Sequence, residues 1–290
     1  MAAPVDAGGW PGGEACKDDF IGRVRSEGAR CFRDLPWRFV DDPYAVLVSE
    51  VMLQQTQVAR VKGRWERFLA MFPTIDALAA ASTSDVLEQW QGLGYNRRAL
   101  ALKRTADVCS AEREGTLPRS AEELQELPGI GPATAAGVVA FAYDEPTVYL
   151  ETNVRAVFLH ELFPDCDNVP DARLRPLVAQ SCPATDVRGW YYALLDYGAH
   201  LKAAFANPTR RSAHYVRQGA FEGSRRQKRA ELVRIVLAEP GVGLAEAHRR
   251  LDAEERLAGR DAVDDVTFAG IVDDLAAEGF FRHEGDKLVP

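Results

Sequence analysis

The chain has 290 residues, 47% of them hydrophobic, and a formal net charge of −8. That length supplies cores for two domains and excludes a small disulfide-stapled scaffold, while the acidic balance means that any affinity for phosphate must come from a local basic patch. Five cysteines, at 16, 31, 109, 166 and 182, form no short paired spacing of the zinc-ribbon or iron-sulfur kind, and no apolar run nears the roughly 20 residues that cross a bilayer.

Residues 1–19 are rich in Ala, Gly and Pro and lack the charge cluster and apolar stretch of a signal peptide, so they read as a disordered tail of a cytoplasmic protein. From Pro43 to Phe163 the apolar positions recur at helical spacing, as in Val46, Leu47, Val51 and Met52, or Leu78, Val86, Leu87 and Trp90. The fold class is therefore all-α. Pro43 after Asp42 can open a helix, and Ser120 with Glu123 makes a capping-box pattern ahead of Leu124 and Leu127. In LPGIGPATAAG one helix stops and another starts, with Gly129 and Gly131 in the turn and Pro132 in the next first turn. This spacing predicts two helices joined by a very tight hairpin.

Residues 165–183 read as a loop and a short helix, and a helical pattern returns from Asp186 to Phe205. Residues 207–229 carry Arg210, Arg211, Arg217, Arg225, Arg226, Lys228 and Arg229 against Glu222 alone, which makes a basic connector or a solvated charge run. Beyond it, residues 230–290 suggest a helix to about Glu239, a short one over Leu244–Leu251 and a longer one over Asp264–Glu278. A hairpin then turns at Gly285 and Asp286, with Phe280 and Leu288 on its arms. Three helices and a hairpin make a winged-helix-like module. Its third helix carries Asp264, Asp265, Asp273, Asp274 and Glu278, which repel phosphate, so packing or partner binding suits it better than DNA reading.

The Leu127–Gly131 hairpin lets backbone approach a phosphate closely, because glycine has no side chain to hold it off, and the amides opening the next helix face the same way. A plain helix link is the alternative. Its neighbours bear on the choice: Leu35-Pro36-Trp37-Arg38, Asp42-Pro43-Tyr44, SEVMLQQTQV (49–58), GLGYNRRA (92–99) and LPGIGPATA occur in that order. Over roughly residues 30–200 the series resembles the helix-hairpin-helix DNA glycosylases, and the Leu-Pro-Trp-Arg and Met-Leu-Gln-Gln-Thr runs look more like the adenine-specific branch than the endonuclease III branch.

The resemblance implies a glycosylase domain over 20–206. A six-helix barrel would span about 43–163 and a second lobe would combine the N-terminal piece with 164–206, with a DNA cleft between them into which a base is flipped. Glu50 falls where the family's acid protonates the leaving base. A nucleobase leaves poorly unprotonated, so a buried carboxyl of raised pKa suits the task, whereas an exposed helix carboxylate is the plain alternative. Gln55 and Tyr95 match duplex-wedging positions, or are ordinary surface residues. Arg33, Leu35 and Arg38 match the lining of the base pocket. On their own, the two arginines read as solvated charges. Gly129, Ile130, Gly131 and Ala133 match the phosphate-binding hairpin, which also admits a monovalent cation, and Arg210 and Arg211 can add backbone contacts.

Three departures from the family stand out. Its second carboxylate, an aspartate that stabilises the positive sugar, is Glu151 here, followed by Asn153 at a supporting position. Ala133 stands where the lyase branch has its Schiff-base lysine and the adenine branch commonly Ser or Tyr, so no amine is available there. Lys202 stands near the first cluster cysteine with no cysteine after it, so no iron-sulfur cluster and no other metal is expected. Only about sixty residues follow Arg229, and they offer no candidate for the domain that inspects the opposite base. The expected function is thus a monofunctional, monomeric, nucleoid-associated glycosylase acting on mispaired or damaged double-stranded DNA, with adenine the first substrate to try. A weakly catalytic damage-binding protein and a protein-interaction scaffold are the alternatives, separable by base release and by DNA affinity.

Overall fold

The structure is a computed structural model that describes residues 9–217 and 219–290. In chain order its helices are α1 (Glu14–Arg30), α2 (Pro43–Leu53), α3 (Val58–Val61), α4 (Arg64–Met71), α5 (Ile75–Ala80), α6 (Thr83–Trp90), α7 (Arg97–Glu112), α8 (Ala121–Gln125), α9 (Pro132–Ala142), α10 (Thr152–Leu162), α11 (Asp171–Ser181), α12 (Val187–Ala204), α13 (Arg225–Ala238), α14 (Leu244–Leu257) and α15 (Asp265–Glu278). The strands β1 (Val242–Gly243), β2 (Arg282–Glu284) and β3 (Lys287–Val289) lie among and after the last three helices. The helical reading of residues 43–163 is met, and Ser120 caps α8: its Oγ accepts from the Glu123 amide at 3.2 Å and donates to the Glu123 carboxylate at 3.1 Å, in place of the reciprocal backbone bond of a capping box.

The chain divides into two units. One comprises residues 1–50, 118–126 and 130–217. Its core is the packing of α1 and α10 on α12, where Gly28 allows α1 to approach so closely that a Cβ there would lie 2.5 Å from the Ala193 Cα. Aromatic rings fill the seam: Phe20 lies 5.0 Å from Phe158 and Trp10 5.2 Å from Phe20. Trp10 is 5% exposed and α1 begins at Glu14, which corrects the expectation of a disordered tail over 1–19. The Ala, Gly and Pro content there conceals one large apolar side chain, whose burial draws the segment onto the core. Residues 1–8 lie outside the described residues.

The other unit comprises residues 51–117, 127–129 and 218–290. This partition differs from the lobes expected from the sequence, since it places 164–206 with α9 and α10 and places α3–α7 with the C-terminal elements. There β2 and β3 form the expected hairpin, with Gly285 at φ 67°, and β1 adds a third antiparallel strand by pairing Val242 with Leu288. Two corrections apply here. α14 runs on to Leu257 because its amphipathic face keeps Ala247, Leu251 and Glu255 buried, and the last five residues of the basic connector form the first turn of α13, capped by Ser224 on the Gln227 amide.

Candidate active site

In the first unit, Glu50 near the end of α2 is half-buried and accepts a hydrogen bond from the Tyr149 hydroxyl at 3.1 Å. Gly137 on α9 makes room for this pair, because a Cβ there would fall 2.2 Å from Glu50 Oε2 and 3.2 Å from the Tyr149 ring. Desolvation pushes the Glu50 carboxyl up to about 8; the Tyr149 hydrogen bond pulls the other way and the Glu151 charge adds to the rise. Burial, with the nearby Glu50 and Glu151 charges, holds the Tyr149 phenol well above its ordinary value, so it remains a donor. Oε2 is thus the Glu50 oxygen that accepts from Tyr149. The sequence reading of Glu50 as a buried acid fits this geometry better than the exposed-carboxylate alternative.

Tyr149 is a site residue that sequence reasoning missed. Its ring meets Phe141 and Tyr191 edge-on, each at 5.3 Å, and its amide donates to the Tyr191 hydroxyl at 3.2 Å. The signal available was its place in TVYLE, two residues before the second carboxylate, but an apolar-looking run hides a phenol among β-branched neighbours.

Glu151 is the N-cap of α10, and its Oε1 accepts from the amides of Asn153 at 2.5 Å and Val154 at 3.1 Å. Both bonds fall on one oxygen, so the carboxylate is fixed at a helix N-terminus while Oε2 points elsewhere. Lys202 on α12 interacts electrostatically with it: desolvation holds the ammonium below its ordinary value, and the Glu151 charge opposes that. Asn153 Oδ1 is buried without a hydrogen-bond partner, and its backbone is crowded by α12 at Gly198, where a Cβ would lie 2.2 Å from the Asn153 carbonyl oxygen. Glu50, Glu151 and Asn153 belong to the same unit.

Arg33, Leu35 and Arg38 are also in this unit, but the arginines are not solvated charges. Arg38 is 6% exposed and makes a two-pronged pair with Asp196 on α12, at 2.7 and 2.6 Å, while Arg33 Nε reaches the same carboxylate at 2.5 Å. Asp196, which the sequence reading passed over, is 1% exposed and holds both. The signal was there: a lone carboxylate on the apolar α12 face with Trp190, Leu194 and Leu201 requires a cation. The pairing leaves Arg38 Nε buried without a partner, and the guanidinium lies 4.5 Å from the Tyr192 ring centroid, which stacks on Phe141 at 4.6 Å. Leu35 is buried at 4% exposure.

In the second unit, Gln55 and Tyr95 adopt φ of 51° and 48°. Left-handed backbone costs an ordinary residue about 1–2 kcal/mol, so such turns persist only where their surroundings fix them. Arg98 does so. Its guanidinium donates to the carbonyls of Val51, Met52 and Gln54 at the end of α2, at 2.7, 2.9 and 2.6 Å, and to those of Leu93 and Gly94 at 3.3 and 2.8 Å. One buried cation thus satisfies the orphan carbonyls of a helix end and ties both turns together. Burial lowers it to about 10, which leaves it charged. The sequence reading took Tyr95 from GLGYNRRA and overlooked Arg98. Gln55 is exposed and Tyr95 half-exposed.

At the hairpin, Gly129 has φ 76° and sits against Ala101, to whose Cβ an added Cβ would come within 2.5 Å. Gly131 caps α9, Pro132 opens it, and Gly131 and Ala133 are exposed while Ile130 is buried. The Ala135 amide donates to the Gly131 carbonyl at 3.0 Å and closes the first turn of α9. Arg210 is exposed, and Arg211 donates through Nη1 to the carbonyls of Phe163 and Pro164 at the end of α10. The segment after Ala199 provides no thiolate for a cluster, since the last cysteine is Cys182. Among the described residues no group of three or more His, Cys, Asp or Glu side chains is arranged to hold a metal, and no helix is long and apolar enough to cross a membrane.

The model of the family described as HhH-GPD superfamily base excision DNA repair protein matches residues 48–172. An adenine DNA glycosylase of Mycolicibacterium smegmatis is 40% identical over 169 residues, 58% of each chain. The adenine DNA glycosylase of Mycobacterium tuberculosis is 46% identical over 129 residues, 44% of this chain and 42% of that one. The chain thus spans about half the length of the curated relatives it matches. Among solved structures, a thermostable thymine-DNA glycosylase superposes with a TM-score of 0.57 at 23% identity, covering 64% of this chain and 87% of that one. A non-covalent endonuclease III–DNA complex gives 0.54 at 20% identity, covering 67% and 97%. Both show the fold.

Proposed function

We propose that the chain, whose residues 48–172 match the model described as HhH-GPD superfamily base excision DNA repair protein, is a monofunctional DNA glycosylase that removes a mispaired or damaged base from double-stranded DNA. The observation that carries the reading is Glu50, desolvated so that it stays protonated near neutral pH and oriented by Tyr149. Adenine is the first substrate, in keeping with the names of the relatives. In this mechanism Glu50 gives its proton to the leaving base as the C1′–N bond breaks and the bonding pair departs with the base. Positive charge grows on the sugar, and Glu151, fixed at the α10 N-terminus, stabilises it. Asn153 Oδ1 accepts from the attacking water, which bonds to C1′ and loses a proton to a carboxylate. Arg33 and Arg38, both held by Asp196, position the wall of the pocket for the extruded base.

Gln55 and Tyr95 act as the duplex wedge on the turns that Arg98 fixes, and the amides at Gly129–Ala133 hold a backbone phosphate, with or without a monovalent cation. The winged-helix-like reading of residues 230–290 rests on three helices and a β1-β3-β2 sheet. The test uses labelled duplexes carrying adenine opposite oxidised guanine, adenine opposite guanine, uracil, hypoxanthine or alkylated purines, followed by alkali. Cleavage only after alkali, abolished by Glu50→Gln, supports the proposal. Binding without base release from any duplex would overturn it in favour of a damage-binding role.

A further inference from the structure

The proposed mechanism leaves the C-terminal elements without a task, yet their charged groups are spent on one feature of the same unit. Glu278 on α15 accepts from Arg97 Nε at 2.6 Å and from Arg229 at 2.6 Å, and Asp274 accepts from Arg225 at 2.7 Å. Asp274 and Glu278 of α15 are therefore paired with arginines of α7 and α13. Arg226 on α13 spans the remaining gap: one end donates to the carbonyl of Gly219 at 2.8 Å, the other to the Tyr95 hydroxyl at 2.5 Å, with the guanidinium 5.6 Å from the ring centroid. Tyr95 is thus held twice. Arg98 fixes its backbone turn at φ 48°, and Arg226 fixes the end of its side chain.

We propose that the C-terminal module is a clamp on the Tyr95 turn, with Arg226 as the positioning residue that presets the Tyr95 ring for entry into duplex DNA. The proposal rests on the reading of Tyr95 as a wedge. A ring that must enter a base stack loses its side-chain freedom on binding, and an ordered hydroxyl means that the loss has already been taken in the free protein. The module thereby contributes to DNA distortion without touching DNA bases, which fits an acidic third helix whose Asp274 and Glu278 face arginines. Freeing the ring should weaken binding by about two- to tenfold, the range set by immobilising one side chain.

The experiment uses the full chain and a mispaired duplex with 2-aminopurine beside the target base, whose fluorescence rises when stacking is broken. Arg226→Met and Tyr95→Phe each remove the hydrogen bond, and Tyr95→Phe does so without altering α13 or the fold of the module. The expected result is that each raises the Kd and reduces the fluorescence rise by about two- to tenfold, that the double variant is no worse than either single one, and that the pH dependence of base release is unmoved. Additive losses in the double variant would overturn the clamp, as would wild-type behaviour of Tyr95→Phe alongside an impaired Tyr95→Ala. If Tyr95→Ala also behaves as wild type, the wedge reading itself fails and the clamp falls with it.

Discussion

Replacing Tyr149 by Phe should move the alkaline limb of base release upward while lowering the maximal rate. The phenol donates to Glu50 Oε2 at 3.1 Å and favours the ionised carboxyl, whereas desolvation, the larger effect, favours the neutral one and sets the value at about 8. Glu50 acts as an acid, so activity is present below its pKa and lost as pH rises through it. Removing a donor that stabilises the carboxylate raises the pKa and extends the active range. A hydrogen bond to a charged group contributes about 1.5–3 kcal/mol, and each pH unit corresponds to about 1.4 kcal/mol, so the limb should shift upward by about one to two pH units. The phenol also orients the Glu50 carboxyl through Oε2. Loss of that orientation should cost about ten- to a hundredfold in the plateau rate. Single-turnover base release measured from pH 6 to 10 decides the matter. A limb that stays in place, or moves down, refutes the assignment of Glu50 as the acid governed by Tyr149.

Three further outcomes follow from the same contacts. Glu50→Gln should abolish base release and stabilise the fold at neutral pH: a carboxyl raised from 4.5 to about 8 contributes stability below its unfolded value that is lost as pH rises toward 8, so the variant should gain on the order of 1–3 kcal/mol at pH 7, after discounting for partial exposure, and nothing at pH 4. Thermal unfolding at the two pH values checks it. Asp196→Asn leaves the Arg38 guanidinium buried with its charge unmatched and should cost about 3–5 kcal/mol in denaturant unfolding, whereas breaking an exposed pair such as Arg119–Glu145 should leave the unfolding midpoint nearly unchanged. Ala133→Lys places an amine at an exposed position of α9 and should yield a borohydride-trapped protein–DNA adduct and strand cleavage without alkali, neither of which the unaltered chain should give.

What could be read from the sequence was whatever depends on local chemistry. Helical periodicity, the Ser120 cap and the Gly129 turn each have a short-range cause, and Glu50 stood out through the resemblance carried by the SEVMLQQTQV run. What could not be read depends on partners distant in the chain. Arg38 and Arg33 reach Asp196 across about 160 residues, so neither arginine could be distinguished from a solvated charge without the packing of α12. The order of residues 9–19 was missed for a similar reason. Trp10 gains its place from Phe158, which lies on a helix that sequence proximity does not indicate.

The two departures at Ala133 and Glu151 sit in different surroundings. Ala133 removes a hydroxyl from the first turn of α9, and one turn further on the same helix Gly137 leaves a gap that Tyr149 and Glu50 share. Glu151, one methylene longer than aspartate, still reaches back to cap α10 through Oε1, so the added length is absorbed by the cap and the carboxylate keeps a fixed position at the helix N-terminus. Shortening it to Asp should therefore preserve the cap and base release together, while Glu151→Gln, which retains the shape but not the charge, should leave α10 folded and cost the rate. A Glu151→Gln variant with undiminished release would show that the charge at the α10 N-terminus does not assist bond cleavage.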